Sequence, residues 1–162
     1  MEARHQDHDR PTRRGPRLGA RQDALEKEAA EHIKRAYTSP GSTTPKNPKK
    51  DIPGSTAKRP LTRLFEEKRR EANRNLSIKT CKDTWGKDYS EGGKYECDEF
   101  PPSSTYQGSA QPRYDKNAPA DNYSVLPIPA DDNNRGGKII AGFYQKNRII
   151  DGSDDGFTVS VK

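Results

Sequence analysis

Cys97-Asp98-Glu99-Phe100-Pro101 is the stretch on which the reading of this chain turns, together with Asp131-Asp132-Asn133-Asn134-Arg135-Gly136-Gly137 downstream. The first puts two adjacent carboxylates at a rigid turn. The second puts carboxamides and a guanidinium at the start of an expected helix. Between them they offer a base to activate water, oxygen ligands for a hard cation, and an Arg for phosphate. Metal-assisted phosphodiester cleavage needs that set.

The rest of the chain is polar. Of 162 residues, 28% are hydrophobic and 33% charged, with 13 Gly and 13 Pro. That balance predicts a small globular domain carrying a disordered or extended segment. No apolar run is long enough for a membrane span or a signal-peptide core, so no membrane partner is expected. If the protein is exported, this chain is then a mature form or a fragment. Residues 1–58 hold 13 Lys/Arg against 8 Asp/Glu, a balance of +5. Residues 81–162 hold 10 against 13, a balance of −3. Attraction to polyanions would therefore come from upstream, including Arg69 and Arg70, with Lys138 a further DNA contact.

Punctuation divides the chain. Residues 1–20 are rich in Arg, Pro and Gly and are expected to be disordered. Asp23 to Tyr37 reads as a helix with an apolar face of Ala24, Leu25, Ala29, Ala30 and Ile33. Ser39 to Ala57, broken by prolines at 40, 45, 48 and 53, reads as a linker. The expected boundaries are a basic N-terminal region, 1–57, and a catalytic domain, 58–162. Removal of the first is expected to leave catalysis intact. A second helix is predicted from Pro60 to about Asn75, with Leu61, Leu64 and Phe65 on one edge. Lys79 to Gly108 reads as loop with a short extended piece entering Cys97. Tyr123 to Pro129 and Phe157 to Val161 alternate as strands. Asn134 to Asn147 reads as a helix burying Ile139, Ile140, Phe143 and Tyr144, capped by Asp132 or Asn133. Gly136 and Gly137 are expected to let backbone approach a ligand.

Cys81 and Cys97 flank a Gly-containing loop, and in a small domain with a thin core a disulfide is expected. Trp85, Tyr89 and Tyr95 lie between them and are expected to pack beneath the bridge, with stacking on bases as the alternative. The three histidines, His5, His8 and His32, all precede the catalytic part. That excludes a histidine base from within the part, and with it Ser-His-Asp and Cys-His mechanisms.

The ordered segments Cys-Asp-Glu-Phe-Pro (97–101), Ser-Thr-Tyr-Gln-Gly (104–108), Asp-Asn-Asn-Arg-Gly-Gly (132–137), Phe143-Tyr144 and Arg148-Ile149-Ile150-Asp151-Gly152 resemble the NucA/NucB-type deoxyribonucleases, over roughly 58–162. The resemblance implies an α+β fold with a ββα-metal-type nuclease core. It also implies metal-dependent, sequence-nonspecific DNA hydrolysis with Mg²⁺ or Mn²⁺, and a secreted protein. It gives Asp98 the role of general base. Glu99, which points the opposite way along an extended chain, is expected to support it through a salt bridge. Asn134 is the candidate metal ligand, with Asp132, Asn133 and Gln145 beside it and Gln107 a weaker candidate. Arg135 is the candidate phosphate contact. Two other readings stand beside this one. The first is a toxin nuclease domain with a cognate inhibitor. The second is a nucleic-acid-binding module without catalysis.

Overall fold

A computed structural model describes residues 11–162. His5, His8 and the first half of the Arg/Pro/Gly stretch lie outside the described residues. The architecture is α+β. In chain order the main elements are β1 (Arg17–Leu18), α1 (Lys27–Thr38), α2 (Glu67–Trp85), β2 (Tyr95–Phe100), β3 (Ser124–Pro129), α3 (Ala130–Asn147) and β4 (Ser160–Val161). β2 and β3 pair antiparallel, with Asp98 opposite Leu126 and Phe100 opposite Ser124. β1 and β4 pair in parallel. β2, β3 and α3 thus follow in strand–strand–helix order. Pro127 and Pro129 are tolerated because this sheet has two strands only. Among the described residues, no helix is long and apolar enough to cross a membrane.

The core does not divide at residue 57. Ala29, Ala30, Ile33 and Ala36 recur at helical spacing on α1 and are buried. They form one cluster with Leu18, Ile52, Leu61, Phe100, Ile128, Tyr144, Ile149, Phe157 and Val159. The stretch expected as a linker is tied into the sheets through its backbone. Val125 donates to the Thr44 carbonyl at 2.8 Å, and Val159 donates to the Gly54 carbonyl at 2.9 Å. Lys50 is buried there, donating to the Thr43 and Pro45 carbonyls. Burial pushes its ammonium down to about 8. Prolines in this stretch shape turns that present carbonyls to strands, so proline content did not mean a free chain. The same holds for Arg17–Leu18, expected within a disordered start.

Two helix boundaries differ from expectation. α2 begins at Glu67, because Leu61 exchanges backbone hydrogen bonds with Phe157 at 2.8 and 2.9 Å and cannot be helical. Leu61 and Leu64 are buried from this irregular segment, while Phe65 is exposed. α2 then runs to Trp85, through residues expected as loop. Its buried face is Asn73, Ser77 and Cys81, spaced four apart and largely polar. Asn73 donates to the Ser103 and Thr105 carbonyls and accepts from the Ala110 amide. A Cβ on Gly108 would lie 2.3 Å from the Asn73 side chain, so glycine is required at that crossing. α3 begins at Ala130, so Asp131 to Asn134 form its first turn and cap nothing on it.

Cys81 on α2 and Cys97 on β2 form a disulfide. With Tyr123 and Val125 they make a second, smaller cluster. The bridge fixes β2 to α2 one residue before Asp98. Reduction is expected to cost about 3 kcal/mol, lowering Tm by about 10 °C, and to slow DNA cleavage in parallel. Thiol titration of the denatured, unreduced protein checks the premise, since two free thiols there would contradict it.

Candidate active site

β2 sorts its carboxylates by alternation. Glu96 and Asp98 turn toward α3 and α1, and Glu99 turns toward α2 with Cys97. A cleft of about 870 Å³ opens beside this strand. Its lining brings Glu96, Asp98, Asn133, Asn134, Gly137 and Lys138 together with Arg63, Phe65, Arg70 and Arg74.

Asp98 is 15% exposed and faces the cleft. Its Oδ2 accepts from Nδ1 of His32 at 2.6 Å. The other ring nitrogen of His32, Nε2, lies 2.7 Å from Ser124 Oγ. Both His32 and Ser124 are buried. His32 thus reaches Asp98 from upstream of the expected catalytic part. α1 belongs to the same core and delivers a ring to the active strand. Ser124 is fully buried and does not line the cleft, so the three residues make no nucleophilic serine triad.

Glu99 pairs with Arg74 of α2 at 3.2 Å, and Arg74 also donates to the Cys97 carbonyl at 2.6 Å. Burial pushes the Glu99 carboxyl up, while the Arg74 guanidinium pulls it down. Its second oxygen, Oε2, is buried without a protein partner. Glu96 accepts from the Asn133 side-chain amide at 2.6 Å, joining β2 to α3 across the cleft wall.

The expected site residues separate into two groups. Asp98, Glu99, Asn133, Asn134, Arg70 and Lys138 line the cleft together. The others do not. Asp132 accepts from the Glu28 amide at 2.9 Å and caps α1 instead. Gln145 follows cleft-lining Tyr144 on α3 but is exposed and does not line the cleft. Arg135 borders a smaller hollow with Leu25, Glu26 and Ile139 on the outer side of α3. Arg69 is held between the Tyr106 and Tyr114 rings, 4.7 and 4.6 Å from their centroids. Gln107 binds Thr62. Gly137 faces the cleft openly, whereas Gly136 serves helix packing, its missing Cβ leaving room for Ala29. Tyr89 packs beside the disulfide cluster, Tyr95 stacks under Lys94, and Trp85 is exposed, with none of the three lining the cleft.

The sequence reading missed His32 and Glu96, whereas Arg63 and Arg74, expected among the upstream basic residues, line the cleft. Arg63 is clamped between the Phe65 and Tyr144 rings and donates to the Ile149 carbonyl at 2.7 Å. A signal for His32 was present, since it interrupts the apolar stripe of α1 three residues after Ala29 and four before Ala36. A signal for Glu96 was the same alternation that separated Asp98 from Glu99.

The family model for deoxyribonuclease NucA/NucB matches residues 49–160, more than half of the chain. The chain belongs to the NucA/NucB deoxyribonuclease family. Neither the curated proteins nor the solved structures hold a significant match. As a member of this family the chain is a nuclease, a hydrolase whose substrate is DNA. The matched segment contains the whole cleft lining named above. α1 and His32 lie upstream of it, so this NucA/NucB-type nuclease builds part of its active strand's support from outside the matched region.

Proposed function

We propose that this chain is a metal-dependent, sequence-nonspecific endodeoxyribonuclease in which Asp98 deprotonates the attacking water. The observation that carries this reading is Asp98, a partly exposed carboxylate tied to His32, in a cleft that Arg63, Arg70 and Lys138 also line. One of its oxygens is occupied by His32, which leaves the other for a water. DNA hydrolysis needs a base, neutralisation of the phosphorane-like transition state, and stabilisation of the departing oxygen. Arg70 and Lys138 meet the diester anion. Contacts to phosphate carry no sequence information, so recognition through the backbone would be sequence-nonspecific.

The donor set suits a hard divalent cation. Glu96, Asp98, Asn133 and Asn134 present carboxylate and carboxamide oxygens, the ligand type of Mg²⁺ and Mn²⁺. Among the described residues, no three His, Cys, Asp or Glu side chains cluster as a metal site, so carboxamides complete the set. Asn134 with Asn133 and Glu96 would hold the ion, in place of the set Asn134, Asp132 and Gln145. When bound, the ion supplies charge neutralisation and Lewis-acid polarisation of the phosphate. The protein's own part is to hold Asp98 and to bind the strand on both sides.

The disulfide supports a secreted protein, since such bonds persist in oxidising compartments. Conversion of supercoiled plasmid to nicked circles tests the activity. Nicking is expected with Mg²⁺ or Mn²⁺ on plasmids of unrelated sequence, and none is expected with excess EDTA. Binding without nicking under every divalent ion would favour the non-catalytic reading. Nicking that persists in EDTA would remove the metal from the proposal.

A further inference from the structure

We infer that His32 is a positioning residue for Asp98, supplied by a helix that precedes the family-matched segment. The inference rests on the reading of Asp98 as the general base.

A carboxylate only accepts hydrogen bonds, so the 2.6 Å contact assigns the hydrogen to Nδ1 of His32. Nε2 then accepts from the Ser124 hydroxyl at 2.7 Å, or donates to it when the ring is charged. In either state Ser124 holds the ring in plane and keeps Nδ1–H aimed at Asp98. Ser124 pairs with Phe100, two residues beyond Asp98 on the same strand face. His32 therefore spans both strands of the sheet from one side. It fixes one oxygen of Asp98 and stops the carboxylate from rotating, which presents the other oxygen to the cleft in one orientation. A base must meet its proton within hydrogen-bond reach, and loss of about 1 Å of placement costs up to about 10²-fold.

The helix that carries the ring is itself fixed by α3. Asp132 of α3 accepts from the Glu28 amide in the first turn of α1, and its charge suits the helix N-terminus. Ala29 of α1 packs where Gly136 has no side chain. The element bearing Asn133 and Asn134 thus sets the height of the ring that orients Asp98. This gives His32, Ser124 and Asp132 one shared consequence at Asp98.

Amide substitutions separate positioning from packing, because Asn and Gln each keep one of the two nitrogens. His32→Asn keeps a donor near the Nδ1 position, facing Asp98. His32→Gln keeps one near Nε2, facing Ser124. Single-turnover cleavage, KM for DNA and Tm are measured for both, beside Asp98→Asn. His32→Asn is expected within a few-fold of the parent protein, and His32→Gln to lose about 10- to 100-fold in kcat at unchanged KM. Both should lose similar Tm. Equal losses in the two variants, following Tm alone, would reduce His32 to a packing residue. Normal cleavage by His32→Gln would overturn the inference while Asp98→Asn stays inactive. Normal cleavage by Asp98→Asn would remove the base assignment and the inference with it. Should His32→Gln not fold, Ser124→Ala carries the test. It keeps the ring and frees its orientation, so kcat should fall several-fold at unchanged KM, and an unchanged kcat overturns the inference. Long-range ¹H–¹⁵N correlations of the His32 ring give a readout independent of activity. A ring protonated at Nδ1 is expected, and one protonated at Nε2 alone is incompatible with the inference.

Discussion

Asp98→Asn is expected to cut turnover by about 10²- to 10⁴-fold while leaving the fold and DNA binding in place. The amide has nearly the shape of the carboxylate. Its oxygen can still accept from His32 Nδ1, so the contact that ties β2 to α1 survives. What it loses is basicity. The cleft also loses one negative charge beside Arg70 and Lys138, so affinity for the diester is expected to hold or rise. Single-turnover cleavage at saturating DNA, with anisotropy for binding, separates the two effects. A variant that cleaves near the parent rate would take Asp98 out of the base role. A variant that loses binding and melting temperature together would show a structural carboxylate. Glu99 offers the internal contrast, because it is adjacent in sequence yet faces α2 and is engaged by Arg74.

The opposite orientation of Asp98 and Glu99 was legible in the sequence, because strand alternation alone separates positions 98 and 99. The strands around Cys97 and Val125, the helix ending near Asn147 and the Cys81–Cys97 pair were legible for similar reasons. Period-two patterning, glycine and proline punctuation, and cysteine count all act locally. α2 was not legible to the same rule. Its buried positions are Asn73, Ser77 and Cys81, so a search for apolar periodicity finds nothing at the spacing that matters. These side chains are buried because Asn73 and Ser77 bond the 103–110 loop and Cys81 is bridged, and those partners are distant in sequence. Of the expected cations, Arg70 and Lys138 line the cleft and Arg69 and Arg135 do not. Arg135 follows Asn134 in sequence but leaves the helix on the outer side, whereas Arg63 arrives from an irregular segment that propensity treats as helix. Asp132 looked like a metal ligand because it sits beside Asn134, and it caps α1 because a helix start happens to lie against it. Local sequence distinguishes chemical types, and packing decides which of them meet.

Removal of residues 1–57 is expected to abolish cooperative folding, contrary to the division that composition implies. The segment supplies Leu18, Ala29, Ala30, Ile33, Ala36 and Ile52 to the main core. Leu18, Ile33 and Ile52 alone represent roughly 1.5–3 kcal/mol each of burial. Deletion also uncovers the faces of Phe100, Ile128 and Tyr144 that they cover. The loss is comparable with the whole stability of a small domain, about 5–15 kcal/mol. It would strip β4 of its β1 partner, remove the acceptors at Thr44 and Gly54, and take His32 from Asp98. The match to the family begins at residue 49, so the deletion reaches only its first nine positions and tests what the preceding helix adds. Circular dichroism melting of the truncated chain is expected to show no sigmoidal transition, and cleavage at saturating DNA is expected to be lost. Ile33→Ala in the full chain is the graded counterpart, with an expected cost of about 2–5 kcal/mol and a Tm lower by roughly 5–15 °C. A truncated protein that melts cooperatively and cleaves at the parent rate would show that residues 58–162 fold alone. α1 would then be an accessory element, and Asp98 would need no partner from it.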